Sequence, residues 1–145
     1  MSPRGPSFHL LLHSADLIEA EVQRKLKPLG LSPRQARVID GMHRMGPASQ
    51  ARLAREFRVT EASMSTMTAR LIKAGYIVRQ DDPEDRRGHL LTLTETGRGL
   101  LAEIEAAWAE VDRIAEAAIG VEEFEALSKK AKRLRDALGG ESPGA

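Results

Sequence analysis

The stretch Thr60-Glu61-Ala62-Ser63-Met64-Ser65-Thr66-Met67-Thr68-Ala69-Arg70-Leu71-Ile72-Lys73-Ala74-Gly75-Tyr76-Ile77-Val78-Arg79-Gln80 changes its period part-way along, and that change decides the fold. On a wheel of 100° per residue, Met64, Met67 and Leu71 fall together with Thr60 on one side, which is the pattern of an amphipathic helix. Thr60 is a good N-cap and Gly75 a good stop. From Tyr76 onward β-branched and aromatic residues take over, and Leu91-Thr92-Leu93-Thr94 alternates apolar with polar. Between these runs, residues 81–89 are polar and hold both Pro83 and Gly88. The reading is a helix over 60–75 followed by a two-stranded β-hairpin with a long charged tip.

Outward from this stretch the pattern is helical. Residues 7–27 repeat Leu11, Ala15, Ile18, Val22 and Leu26 at spacings of three and four, and Pro28 and Gly30 end the run. Ser32-Pro33 restarts a helix as N-cap and first turn, with Ala36, Ile39, Met42 and Met45 apolar until Gly46-Pro47. A shorter helix covers residues 49–57, with Leu53 and Ala54 inward. Past the hairpin, residues 95–119 read as one long helix with Leu101, Ile104, Trp108, Val111, Ala115 and Ala118 at heptad-like spacing. After Gly120 a last helix carries Phe124, Leu127, Ala131, Leu134 and Leu138. Residues 1–6 and 139–145 read as disordered ends. The fold class is mainly α with a small β-hairpin wing, in one domain spanning 1–145.

Composition narrows the function. At 145 residues, 41 % hydrophobic and 30 % charged, the chain is a single globular unit. There is no Cys, which excludes disulfides, thiolate metal sites and thiol redox chemistry. No apolar run approaches the roughly 18 uncharged residues of a membrane span, and the first residues lack a signal-peptide pattern, so a cytoplasmic location is expected. Aromatics are 3 %, too few for single-strand stacking platforms. The net charge of +1 rules out non-specific coating of nucleic acid, but it hides an asymmetry. Residues 1–58 carry net +5, residues 59–94 net 0 and residues 95–145 net −4.

Helix, short turn, helix and charged hairpin is the plan of a winged helix-turn-helix over residues 32–94. The side of the 60–75 helix opposite Met64 and Leu71 shows Ala62, Ser65, Thr66, Ala69, Arg70 and Lys73, and Ser63 joins them as a candidate DNA contact. A solvated helix face is normally rich in Glu and Lys. Small and hydroxyl-bearing residues instead let a helix approach a surface closely, whether the floor of a major groove or another helix. Their hydroxyls suit base edges or phosphates, and an Ala or Thr methyl suits the thymine methyl. Arg86 and Arg87 put two guanidinium groups on the wing, where a planar, weakly hydrated cation suits a narrow minor groove. The acidic residues Asp81, Asp82, Glu84 and Asp85 beside them would equally suit a solvated charge run.

The segments Leu53-Ala54, Val59-Thr60, Arg70-Leu71, Gly75-Tyr76-Ile77, Asp82-Pro83-Glu84-Asp85-Arg86-Arg87 and Leu91-Thr92-Leu93-Thr94-Glu95-Thr96-Gly97 resemble the multiple-antibiotic-resistance regulator (MarR) family. The resemblance runs from about residue 7 to 138. Its most specific part is the ordered set Asp85, Arg87, Leu91, Leu93, Thr94 and Gly97. It implies a homodimeric, sequence-specific regulator of transcription, a ligand-responsive repressor that binds a pseudo-palindromic double-stranded operator. By that analogy Arg87 enters the minor groove and Asp85 holds the wing by ion pairing. Outward residues of the 60–75 helix, Thr60 included, read the major groove. Thr66 and Ala69 stand where larger polar side chains are frequent in the family, so phosphate contacts from Arg52, Arg55, Arg70 and Lys73 are expected to supply much of the affinity.

A small winged module cannot bury both the 7–27 stripe and that of the 95–138 helices, so these are expected to pack against a second copy across a twofold axis. Two readers then lie roughly 34 Å apart, one turn of DNA. The resemblance also implies a small aromatic or amphipathic anion as effector, with His9, His13, Met42 and Trp108 as lining and Arg37 as its carboxylate partner. No cofactor and no metal is expected. His9 and His13, at i and i+4, leave a metal-responsive regulator as one alternative, and a winged-helix protein-interaction module is another. No nucleophile elbow, phosphate loop or His-Glu-x-x-His is present, so an enzyme is not expected.

Overall fold

Ser32 begins the central helix with a reciprocal cap. Its Oγ accepts from Gln35 N at 3.1 Å, while Ser32 N donates to Gln35 Oε1 at 2.9 Å. With Pro33 setting the first turn, the chain runs as α2, Pro33–Met45. A computed structural model describes residues 6–143. The disorder expected of residues 1–5 and 144–145 lies outside the described residues. Before α2 come α1, Ser7–Leu26, and a 3-10 turn, Lys27–Leu29. After it come α3 (Gln50–Glu56), α4 (Glu61–Lys73), β1 (Ile77–Asp82), β2 (Asp85–Leu93), α5 (Glu95–Gly99), α6 (Leu101–Ile119) and α7 (Val121–Ala137).

The core lies where α2, α3, α4 and the root of the hairpin meet α6. Leu26, Ile39, Met42, Leu53, Met64, Leu71, Ile77, Leu91 and Ile104 are buried in one cluster. Removing one such side chain to Ala costs about 2–5 kcal/mol, so this cluster carries the reader's stability. The periodicity found most of these positions but not Val38 or Thr68, both buried in the same core. Thr60, expected to face inward with Met64, is exposed. Its side chain is occupied as the N-cap, accepting from Ser63 N at 3.0 Å. The inward place is taken by Thr68, whose hydroxyl donates to Met64 O at 2.9 Å and so satisfies itself within the helix.

Gly75 ends α4 in a Schellman arrangement. At φ 85° it lets Tyr76 N donate to Leu71 O and Gly75 N to Ile72 O, both at 3.0 Å. The chain leaves that turn directly into β1. The two strands pair antiparallel from Ile77 opposite Leu93 to Asp81 opposite His89. The hairpin differs from its expected form: residues 81–89 are mostly strand, and the turn proper is only Pro83-Glu84. An isolated ribbon is solvated on both faces, so its charged residues show no apolar alternation that would mark them as strand.

The helix expected over 95–119 is divided into α5 and α6 at Leu100. On α1 only Leu26 is fully buried, while Leu11, Leu12, Leu17 and Ile18 are exposed, as are Leu127, Leu134 and Leu138 toward the other end of the chain. Lys25 Nζ meets a Glu110 carboxylate oxygen at 3.0 Å, tying α1 to α6 and holding the Glu110 carboxyl below its ordinary range. Of the tail expected to be disordered, residues 139–143 lie against the body: Gly139 O accepts from Arg58 and Pro143 is buried.

Candidate nucleic-acid interface

The site is assembled from four capped or pinned segments. Ser49 caps α3 by accepting from Arg52 N at 3.2 Å, and Thr60 caps α4. Ala48, just before α3, exchanges two backbone hydrogen bonds with Leu91 of β2 at 3.1 and 2.8 Å, joining the helix-turn-helix to the wing. At the wing's root, Thr94 N donates to Tyr76 O at 3.0 Å and Thr94 Oγ1 to Gly75 O at 2.6 Å, while Gly97 N donates back to Thr94 Oγ1 at 3.0 Å. Gly97 is needed there because a Cβ would stand 2.2 Å from Tyr76 O. The run from Leu91 to Gly97 is thus the joint between wing and reader helix.

α4 lays Met64, Met67, Thr68 and Leu71 into the core and leaves Ala62, Ser63, Ser65, Thr66, Ala69, Arg70 and Lys73 exposed along its length. Two of the hydroxyls are engaged locally: Thr60 donates to Ser63 Oγ at 3.0 Å and Thr66 to Ala62 O at 3.2 Å. Thr60 and Ser63 therefore build the helix start, while Ser65, Ala69, Arg70 and Lys73 present the open part of the face. Arg52 and Arg55 are exposed on α3 beside it. Arg79 was not among the expected site residues. It is an exposed cation on β1 that lines a groove with Ser65, Ala69 and Lys73. Its place could be read only after the hairpin register was known.

The wing carries Arg86 and Arg87 in an irregularity rather than at the turn. Asp81 pairs with His89 and Asp82 with Asp85, so β2 holds three residues, Arg86, Arg87 and Gly88, with no counterpart on β1. Such an excess bends a strand and re-aims its side chains. Asp85 shapes it through the backbone: its Oδ1 accepts from Arg87 N at 3.0 Å, and Asp82 Oδ1 accepts from Glu84 N at 2.9 Å. A Cβ at Gly88 would lie 3.1 Å from Asp85 Oδ2, so the glycine leaves room for that carboxylate. Among the described residues Asp85 forms no ion pair, in contrast to the family-based expectation. Nor does any ion pair among them engage Arg52, Arg55, Arg70, Lys73, Arg79, Arg86 or Arg87.

The expected ligand-lining residues are not brought together as a set. A cavity of about 800 Å³ between α1, α2 and α6 is lined by Ile18, Val22, Arg37, Phe57 and Trp108 among others, which includes two of the five. Met42 is core, and His9 and His13 are exposed on α1 away from the cavity, with the His9 ring edge-on to Phe8. Among the described residues no three His, Cys, Asp or Glu side chains gather as a metal site.

The sequence model of the MarR family matches residues 29–88, from the end of the 3-10 turn to the bulge in the wing. Over those residues the chain carries the MarR-family sequence pattern. The chain is 34 % identical over 65 residues to the uncharacterized HTH-type transcriptional regulator YcgE of Bacillus subtilis (strain 168). That match covers 45 % of the chain and 42 % of the relative's own length. It is 31 % identical to a crystallised probable transcriptional regulator from Pseudomonas aeruginosa, over 86 % of this chain and 93 % of that one, with a TM-score of 0.77. The transcriptional repressor CouR, solved bound to a 23-mer DNA duplex, superposes with a TM-score of 0.82 over 89 % of this chain and 92 % of its own. At 22 % identity that last likeness is one of fold.

Proposed function

We propose that the chain is a sequence-specific double-stranded DNA-binding regulator of transcription, not an enzyme, with residues 32–94 as the reader. The observation that carries this is the exposed small-residue face of α4, flanked by the exposed cations of α3, β1 and the wing bulge, which have no ion pair among the described residues. α4 enters a major groove with Ser65, Thr66 and Ala69 against base edges. Arg70, Lys73, Arg52 and Arg55 meet phosphates, and Arg87 reaches the flanking minor groove. Duplexes selected from a random pool, titrated at several salt concentrations, test it. A reader shows a gap of roughly 4–10 kcal/mol between selected and random duplexes, and a log–log salt slope of about −0.9 per phosphate contact. Equal affinity for both would refute it.

The regulator acts as a homodimer on a pseudo-palindromic operator. Support comes from the apolar side chains that α1 and α7 leave in solvent, Phe8, Leu11, Ile18, Leu127 and Leu134 among them. Residues 7–27 and 95–138 are then the dimerising parts, and a monomer mass by light scattering at micromolar protein would sink this. Repression by occupying a promoter in the cytoplasm follows from the same reading; no described helix is long and apolar enough to cross a membrane. The 800 Å³ cavity, lined by Arg37, Trp108 and Phe57 together with Glu19 and the Arg44-paired Asp40, is the place this reading gives to an amphipathic aromatic anion as effector. Quenching of Trp108, the one tryptophan, by small aromatic carboxylates together with weaker DNA binding tests that step.

A further inference from the structure

The turn between α3 and α4 contains a residue with an unusual backbone and an unusual partner. Arg58 is the one non-glycine with positive φ, 52°, among the described residues. That conformation is uncommon for a side chain with a Cβ and costs on the order of 1 kcal/mol. Its guanidinium Nη2 donates to Gly139 O at 2.8 Å, 81 residues away, just beyond α7. The segment after α7 is itself held in place. Gly140 N donates to Arg135 O at 2.9 Å and Arg135 Nη1 to Ser142 Oγ at 3.0 Å. Ser142 and Pro143 then line the same cavity as Ile18, Phe57 and Trp108, with Pro143 buried. Phe57, next to Arg58, packs its ring on Gly41 of α2, where a Cβ would stand 2.5 Å from the ring.

We propose that residues 139–143 form a strap that fastens the helix-turn-helix to the long C-terminal helices, with Arg58 as its positioning residue. The strap fixes the reader's orientation and walls the cavity, so a molecule filling that cavity and the reader's orientation are coupled through one short segment. A ligand that displaces Ser142 and Pro143 frees the turn before α4. A positioned reader binds its site more tightly because less motion is lost on binding. This rests on the DNA-binding reading above.

The test uses the full chain, Arg58→Gly, a chain ending after Leu138, and the two changes combined. Glycine adopts the left-handed backbone without strain and removes the whole side chain, guanidinium included. Each variant is titrated with a duplex that the unmodified protein selects from a random pool. Each single change is expected to weaken binding roughly tenfold, within the span of typical couplings between sites, and the double change no further. Shortening is also expected to move Trp108 emission to longer wavelength, since Ser142 and Pro143 no longer line the cavity with it. If Arg58→Gly weakens binding by the same factor with and without residues 139–145, Arg58 touches DNA itself and the strap is refuted. Unchanged affinity in every variant, or unchanged Trp108 emission on shortening, also refutes it. A pool from which no duplex is enriched overturns the DNA reading instead, and Trp108 emission then judges the strap alone.

Discussion

Gly97→Ala isolates the joint on which the wing turns. A methyl group there would sit 2.2 Å from Tyr76 O and 3.0 Å from Tyr76 C, and backbone cannot rotate away as a side chain would. Opening the contact to an ordinary separation requires about 1 Å of relative movement between α5 and the start of β1. Overpacking of this kind costs about 1–3 kcal/mol. The movement also stretches the bonds from Thr94 N to Tyr76 O, Thr94 Oγ1 to Gly75 O and Gly97 N to Thr94 Oγ1, each worth about 1 kcal/mol. Against this, Ala in a helix gains about 0.5–1 kcal/mol over Gly. The net expectation is a loss of roughly 2–3 kcal/mol, or roughly 5–10 °C in thermal midpoint. The internal control is Gly99→Ala on the same short helix, where nothing lies within 4 Å of the added carbon. It should be neutral or stabilising. Thermal and urea unfolding at one fixed protein concentration compare the two. Equal stability of the variants would show that the wing root tolerates movement and that Gly97 holds nothing in register.

Three further outcomes follow from the same geometry. Arg87→Ala should weaken binding to the selected duplex and flatten its log–log salt slope by about 0.9 for each phosphate the guanidinium approaches, read by fluorescence anisotropy across salt; an unchanged slope and affinity would remove Arg87 from the interface. Ser32→Ala breaks the reciprocal cap on α2 and should cost about 1 kcal/mol in urea unfolding, with the denaturant slope unchanged. Leu134→Glu should shift the mass measured by light scattering toward the monomer; if the dimer survives, α7 is not the covered surface.

The helices were legible because their apolar positions repeat and their ends are marked. Ser32 and Thr60 cap two of them as read from the sequence, and Ser49 and Thr94 cap two more that the reading did not mark. The wing was legible only at its root. Leu91-Thr92-Leu93-Thr94 alternates because one face packs on the core, with Ile77 buried opposite Leu93, whereas Asp81, Asp85 and Arg86 lie in a ribbon with water on both sides. Nothing in their composition separates strand from loop there, so the bulge that carries Arg86 and Arg87 was invisible. Thr68 was missed for a related reason: a hydroxyl that bonds its own helix backbone is buried at little cost, yet a hydropathy pattern counts it as polar. The hydrogen bond from Arg58 to Gly139 O spans 81 residues, and no local pattern announces it.

The apolar stripes of α1 and α7 show why periodicity establishes that a face is covered without saying by what. Leu11 and Ile18 repeat as regularly as Met64 and Leu71, yet the first pair is 52 % and 44 % exposed in the protomer and the second is fully buried. A surface substitution away from special features usually changes stability by no more than about 0.5 kcal/mol, whereas a carboxylate placed in a dry interface costs several. Leu134, 46 % exposed, is therefore a position where the two cases differ sharply. If a second copy covers it, Leu134→Glu separates the protomers while each retains its reader core. Two readers no longer held one helical turn apart would then lose a palindromic duplex far more than a half-site. The charge asymmetry fits the same arrangement: α6 holds five acidic residues against one basic, while Arg52, Arg55, Arg70, Lys73, Arg79, Arg86 and Arg87 gather on α3, α4 and the wing. A chain of net charge +1 can in this way hold a polyanion at one surface only, with its position fixed by the dimer rather than by bulk attraction.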